Sequence, residues 1–165
     1  MTSKWQVTSP PRNPRYRRSD PLVLIPGLPQ TAEAFSDIFE PVSKHYQFLA
    51  LDHPGLGDSL PPVNGYDTAN VSKVMAEAIH DILKERQCHL VGHGNLEYAK
   101  TPLDIPVLAL GGASSVGSGM INLVQNFAAN VSGGAIDDYG HFLPEEQPSA
   151  VMRRLLELLD TYQNR

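Results

Sequence analysis

The chain has 165 residues, a formal net charge of −5, 41% hydrophobic and 19% charged residues, and one cysteine. This suits a single domain with a real core and excludes a disordered acidic chain. No apolar run approaches the roughly 20 residues that span a bilayer, and Cys88 alone allows neither an internal disulfide nor a zinc site.

The charge is uneven. Residues 1–20 hold Lys4, Arg12, Arg15, Arg17 and Arg18 against Asp20, so they carry +4 and the remaining 145 residues carry −9. An acidic body does not suit sequence-independent nucleic-acid binding, which neutralises phosphates. Residues 1–20 read as a flexible, mostly unstructured basic leader, with Pro10, Pro11 and Pro14 against a helix. The leader is Arg-rich like a transit peptide, but those prolines break the amphipathic helix such a signal needs, and a secretory apolar region is absent.

From Pro21 the chain alternates. Leu22–Ile25 is a continuous apolar run ended by Pro26-Gly27, the pattern of a buried parallel strand. Residues 31–44 suit a helix with Ala34, Phe35, Ile38 and Phe39 on one stripe. Gln47–Leu51 reads as a second strand and Asp58–Gly65 as a loop. A helix from Thr68 to about Glu85 shows Val71, Val74, Met75, Ala78, Ile82 and Leu83 at helical spacing, with Asp67 or Thr68 as its cap. Cys88–Gly92 and Pro106–Leu110 are the third and fourth strands. A helix over Met120–Ala129 and a glycine-diluted fifth strand over Val131–Ile136 follow. The last helix begins near Pro148 and buries Val151, Leu155 and Leu159, with Met152 and Leu156 beside them.

This rhythm predicts an α/β fold: a parallel sheet of about five strands with helices on both faces. Chemistry in such sheets sits at the carboxyl ends of the strands. The loops to inspect are therefore Pro26–Pro29, Asp52–Ser59, Gly92–Leu96, Gly111–Ser115 and Asp137–Phe142.

Several stretches, in order, resemble the α/β-hydrolases, most closely the epoxide-hydrolase and haloacid-dehalogenase branch. Ile25-Pro26-Gly27-Leu28-Pro29-Gln30-Thr31 resembles that branch's His-Gly-x-Pro loop, with Pro26 in place of the histidine. Leu51-Asp52-His53-Pro54-Gly55-Leu56-Gly57-Asp58-Ser59 is similar to its Asp-x-x-Gly-x-Gly-x-Ser turn. His89-Leu90-Val91-Gly92-His93 resembles the strand entering the nucleophile elbow. Asp104–Gly112 resembles a late strand, and Gly140-His141-Phe142 before Glu145-Glu146-Gln147-Pro148 resembles the catalytic-histidine loop. The resemblance spans about Pro21 to Leu159 and implies a truncated α/β-hydrolase fold: a leader over 1–20 and a core over 21–162 with the lid missing near 94–96.

In the family a nucleophile, a helix, a strand and a lid follow His93. Here Gly94-Asn95-Leu96-Glu97-Tyr98 follow at once. The resemblance puts Gly94 at the nucleophile position, and glycine has no side chain to form an ester intermediate. It makes His141 the general base; the alternative is a loop histidine without a role. It makes the backbone N–H groups of Leu28 and Asn95 the oxyanion-hole candidates. The loop after the late strand, Gly112–Gly117, holds no carboxylate to serve as the triad acid. Asp137 and Asp138 lie near His141 but read as a solvated turn, and adjacent Asp52 and His53 make a poor metal site.

By family analogy the strands run second, first, third, fourth, fifth. The 13 residues 93–105 supply a short crossover, and a removed interior strand and elbow helix expose apolar sheet surface. A homodimer over that face is the expected assembly. The resemblance implies no metal or organic cofactor, with water as second substrate, and a small apolar substrate or ligand; the short apolar runs predict no membrane partner, and a cytoplasmic location is expected. Three readings remain open: a hydrolase inactive or weakly active as written, a non-catalytic binding protein on the same scaffold, and a splice or gene-model fragment.

Overall fold

The structure, a computed structural model, describes residues 7–8, 20–84, 86–93, 103–126 and 128–163. The expectations for Gly94, Asn95 and Leu96 lie outside these described residues. The chain forms two compact units, Met1–Asn95 and Leu96–Arg165, each described by itself.

In the first unit the strand β1 (Val7–Thr8) is followed by β2 (Leu22–Ile25), the helix α1 (Ser36–Ser43) and β3 (Phe48–Leu51). The helix α2 (Thr68–Leu83) and β4 (His89–Gly92) complete it. The sheet order is β1-β3-β2-β4. β2 lies parallel to both neighbours, with Leu24 opposite Ala50 on one side and Val91 on the other. A strand paired on both sides and covered on both faces must be apolar throughout, which is why Leu-Val-Leu-Ile shows no alternation.

Val7 and Thr8 pair antiparallel with Leu51 and Ala50, within the stretch expected to be mostly unstructured. They take up backbone groups at the outer edge of β3, which would otherwise stay unpaired.

Helices cover both faces of this sheet. A 3-10 turn, Ala32–Phe35, leads into α1, so the expected helix over 31–44 begins tighter than an α-helix. Phe35, Ile38 and Val42 are fully buried, and Phe39 stacks on Phe48 with ring centroids 4.9 Å apart. On the other face, Val23, Leu49 and Leu51 pack with Met75 and Leu83 of α2, joined by Ile25, Val71, Ile79 and Cys88. Val71, Met75, Ile79 and Leu83 repeat every fourth residue, and that row faces the sheet. Ile82, expected on the core stripe, flanks the row and is 36% exposed. Asp67 caps the helix by accepting from the Asn70 N–H at 3.0 Å.

The second unit holds β5 (Leu103–Gly112), α3 (Gly119–Gln125), β6 (Ala128–Ile136), the one-turn α4 (Leu143–Glu146) and α5 (Pro148–Gln163). β5 and β6 pair in parallel from Leu103 opposite Ala128 to Gly112 opposite Ile136. Both strands are longer than expected, and the helix expected over Met120–Ala129 stops at Gln125. Ala128 pairs in the ladder instead and is buried with Ala109 and Val124. α5 starts at Pro148 as expected, buries Val151, Met152, Leu155 and Leu159, and reaches β6 through Arg154, whose guanidinium donates to the Gly133 carbonyl at 3.0 Å.

Five parallel strands flanked by helices bear out the expected architecture. The order second, first, third is that of β3, β2 and β4, and the fourth and fifth strands pair with each other. Among the described residues the hydrogen-bonded ladders are β1-β3-β2-β4 and β5-β6. No helix among the described residues is long and apolar enough to cross a membrane.

Gly133 has φ +132°, and a Cβ there would run into the Ala109 carbonyl of the paired strand. Gly134 has φ +143° but open space around it. Gly134→Ala is expected to cost the backbone strain alone, about 1–3 kcal/mol, and Gly133→Ala more than that, as read from urea unfolding followed by circular dichroism.

Burial pushes the Cys88 thiol above its ordinary range, and the charge of Asp20 adds to this. Less thiolate means slower attack. Iodoacetamide at neutral pH is expected to label Cys88 more slowly than an unstructured cysteine peptide, and urea should remove the difference.

Candidate functional site

In the first unit the parallel ladder delivers three chain ends side by side. Ile25 pairs with Gly92, and the His93 N–H continues the ladder by donating to the Ile25 carbonyl at 3.0 Å. The loop from Pro26 to Gln30 begins at the same level. It is closed by the Gln30 N–H donating to the Gly27 carbonyl at 2.6 Å, and its Leu28–Pro29 peptide is cis. Pro26 and Gly27 are buried, while the Leu28 side chain is 68% exposed at the tip.

Two imidazoles fix this loop. His53 Nε2 lies 2.7 Å from the Pro26 carbonyl oxygen. A carbonyl only accepts, so the proton sits on Nε2. Nδ1 is buried and without a hydrogen-bond partner among the described residues. His93 Nδ1 lies 2.8 Å from Gln30 Oε1 and donates to it as placed. His93 therefore ties the end of β4 to the loop that carries Leu28.

The turn after β3 is organised by Asp52. Its side chain is 5% exposed, and Oδ1 accepts the Ala32 N–H at 2.6 Å. A Cβ on Gly57 would run into Asp52 Oδ2, so that glycine leaves room for the carboxylate. Ser59 Oγ lies 3.3 Å from the Asp52 carbonyl. Asp52 and His53, adjacent in sequence, thus spend their side chains on different backbone partners, and no metal site forms from them. No group of three or more His, Cys, Asp or Glu among the described residues could hold a metal ion.

In the second unit β5 and β6 bring two further loops together. The Ser114 N–H donates to the Tyr139 carbonyl at 2.9 Å, and a Cβ on Gly112 would run into the carbonyls of Tyr139 and Gly140. The loop after β5, where a triad acid was looked for, therefore abuts the His141 loop. It contributes Ala113, Ser114 and Ser115 there, and no carboxylate. Asp137 and Asp138 are exposed, as a solvated turn requires.

His141 is exposed, and its ring meets Phe142 edge-on with centroids 5.2 Å apart. The residues on either side of it are held by Glu146. The Gly140 N–H donates to Glu146 Oε2 at 2.7 Å and the Phe142 N–H to Oε1 at 3.0 Å. These two bonds, the larger first, hold the Glu146 carboxyl below its ordinary range, and His141 lowers it further. A carboxyl so held binds its proton less readily folded than unfolded. It adds stability above the ordinary glutamate range, which is lost as pH falls through the depressed value.

Among the predicted site residues, Leu28 and His141 are thus placed on folded loops of the first and second units, and Asn95 lies outside the described residues. Sequence reasoning missed Gln30 and Glu146, and read His53 only as a poor metal ligand. The glutamate was legible as the acid of a short Leu-Pro-Glu-Glu turn after a histidine loop; the histidine–glutamine pair left no periodic signal.

Comparison with known proteins follows this geometry. The α/β-hydrolase fold family model matches residues 20–93. A soluble epoxide hydrolase from Corynebacterium sp. strain C12 is 43% identical over 63 residues, covering 38% of this chain and 22% of that protein. The chain thus matches about a fifth of that curated relative's length. Among solved structures, Cfl2 from Burkholderia cenocepacia has a TM-score of 0.78 at 16% identity, covering 93% of this chain and 91% of that one. The Cif epoxide hydrolase from Acinetobacter nosocomialis has a TM-score of 0.75 at 15% identity, covering 92% and 88%. At those identities the likeness is one of fold.

Asp52→Ala removes the acceptor of a buried N–H and is expected to cost about 1–3 kcal/mol. Asp52→Asn keeps an acceptor and should cost less; chemical unfolding of both variants checks the order.

Proposed function

We propose that this chain, an α/β-hydrolase-fold protein related to the epoxide-hydrolase branch and truncated relative to typical members, does not efficiently turn over epoxides, esters or haloacids. One observation carries this reading: the position after His93, where the related enzymes keep their nucleophile, is Gly94. The chemistry of the branch needs a side chain there to attack carbon and form an ester, which an activated water then cleaves. Glycine offers no attacking atom, and Asn95 carries a carboxamide, a poor one.

The other parts of such a site have counterparts. Leu28 would supply one oxyanion-hole N–H and Asn95 the other. His141 would be the base that activates water. Without a nucleophile no ester intermediate forms, whatever these groups contribute. The loop after β5, which abuts the His141 loop, holds no carboxylate to serve as a triad acid there, which supports the same reading.

A second reading, a non-catalytic binding protein for small apolar molecules, is favoured by Leu28, Val63 and Tyr66, exposed by 68%, 97% and 64% in loops of the first unit.

Hydrolysis of p-nitrophenyl acetate by the purified chain tests the proposal. The expected rate is non-saturable, close to buffer background, and unchanged in His141→Ala. A saturable rate well above background that His141→Ala abolishes would overturn it.

A further inference from the structure

We propose that Glu146 is a positioning residue for His141, holding the imidazole through the two backbone N–H groups that flank it. The proposal concerns how the histidine is presented, and it stands whether or not the chain turns over a substrate.

The geometry is specific. One carboxylate takes both bonds, with Oε2 on Gly140 at 2.7 Å and Oε1 on Phe142 at 3.0 Å. The residue between these donors is His141. Its Cα is thereby suspended between two amides anchored to the same rigid group. The Glu146 N–H in turn donates to the Phe142 carbonyl at 2.8 Å, so Phe142 and Glu146 bond each other reciprocally. Reciprocal bonding of this kind resembles a capping box, in which a side chain reaches back to the start of its own helix. The bond to Gly140 goes beyond capping. Gly140 lies two residues before Phe142, outside the helical turn, and satisfying its N–H does nothing for α4.

The glycine fits the same purpose. A Cβ at Gly140 would sit 3.3 Å from both Glu146 oxygens, so a larger residue would press on the carboxylate. Charge adds to the bonding. His141 lowers the Glu146 carboxyl further, so the histidine and the carboxylate also attract each other. A triad acid would touch the imidazole directly. Glu146 acts on the backbone either side of it, which fixes where the ring starts from.

The test uses the full chain labelled with nitrogen-15. In the wild type, the amide protons of Gly140 and Phe142 are expected to shift together with pH, with a shared inflection below the ordinary glutamate range. Glu146→Gln should abolish that shared inflection. It should also move and broaden the His141 ring resonances, while the amides of Val151 and Leu155 in α5 stay in place. Glu146→Asp, one methylene shorter, should not restore both shifts. A role limited to capping α4 would leave the Gly140 amide and the His141 ring unmoved by Glu146→Gln, and that result would overturn the proposal. The wild-type titration decides independently of any variant that fails to fold: two amides that do not titrate together also overturn it.

Discussion

The parallel pairing of β2 with β3 and β4 is the constraint on which the first unit depends. Leu24 meets Ala50 and Val91 at one level, so the carboxyl ends of three strands open at the same edge. Everything chemical in this unit is a consequence of that level. Pro26 leaves β2 where His53 can reach its carbonyl, and His93 leaves β4 where it can reach Gln30. A slip of one residue in a strand would turn each apolar side chain to the other face. Val23 would then leave the α2 core, and both histidines would lose their partners.

The second unit repeats the device with different means. Its ladder is longer, and its loops are locked by close backbone approach rather than by imidazoles. Gly112 and Gly133 each lie where a side chain would strike a neighbouring carbonyl. A sheet with room only for backbone gains tight packing and loses tolerance to substitution. Gly133, one of the two glycines that weaken β6 as a sequence signal, is therefore what allows it to lie against β5. This is why Val131–Ile136 read as a diluted strand while the ladder begins at Ala128.

What was legible follows from what is periodic. The apolar run of β2, the fourfold repeat of α2 and the Pro148 start of α5 each announce a buried face, and each is where the sequence puts it. The ends of α3 and β6 were misjudged because Ala128 and Ala129 favour a helix locally and pair as a strand in context. In the site, the family-like motifs located the loops, but the contacts that shape them join residues far apart in sequence. His93 and Gln30 are 63 residues apart, and His53 and Pro26 are 27 apart. No spacing rule reports a bond between a side chain and a distant carbonyl.

The chain thus separates two things that are usually found together. Each unit is built by backbone-organising interactions: strand register, buried Asp52 and a glycine-lined turn in the first, a carboxylate under the histidine loop in the second. Performing hydrolysis requires one attacking atom and an acid for the imidazole, and neither contributes to folding in the same way. Asp52 and Glu146 illustrate the distinction, since both carboxylates bond backbone N–H groups. The Ala32 N–H bonded by Asp52 is buried, and leaving it unpaired is costly whatever the protein does. Scaffold and activity are therefore separate physical questions in this molecule.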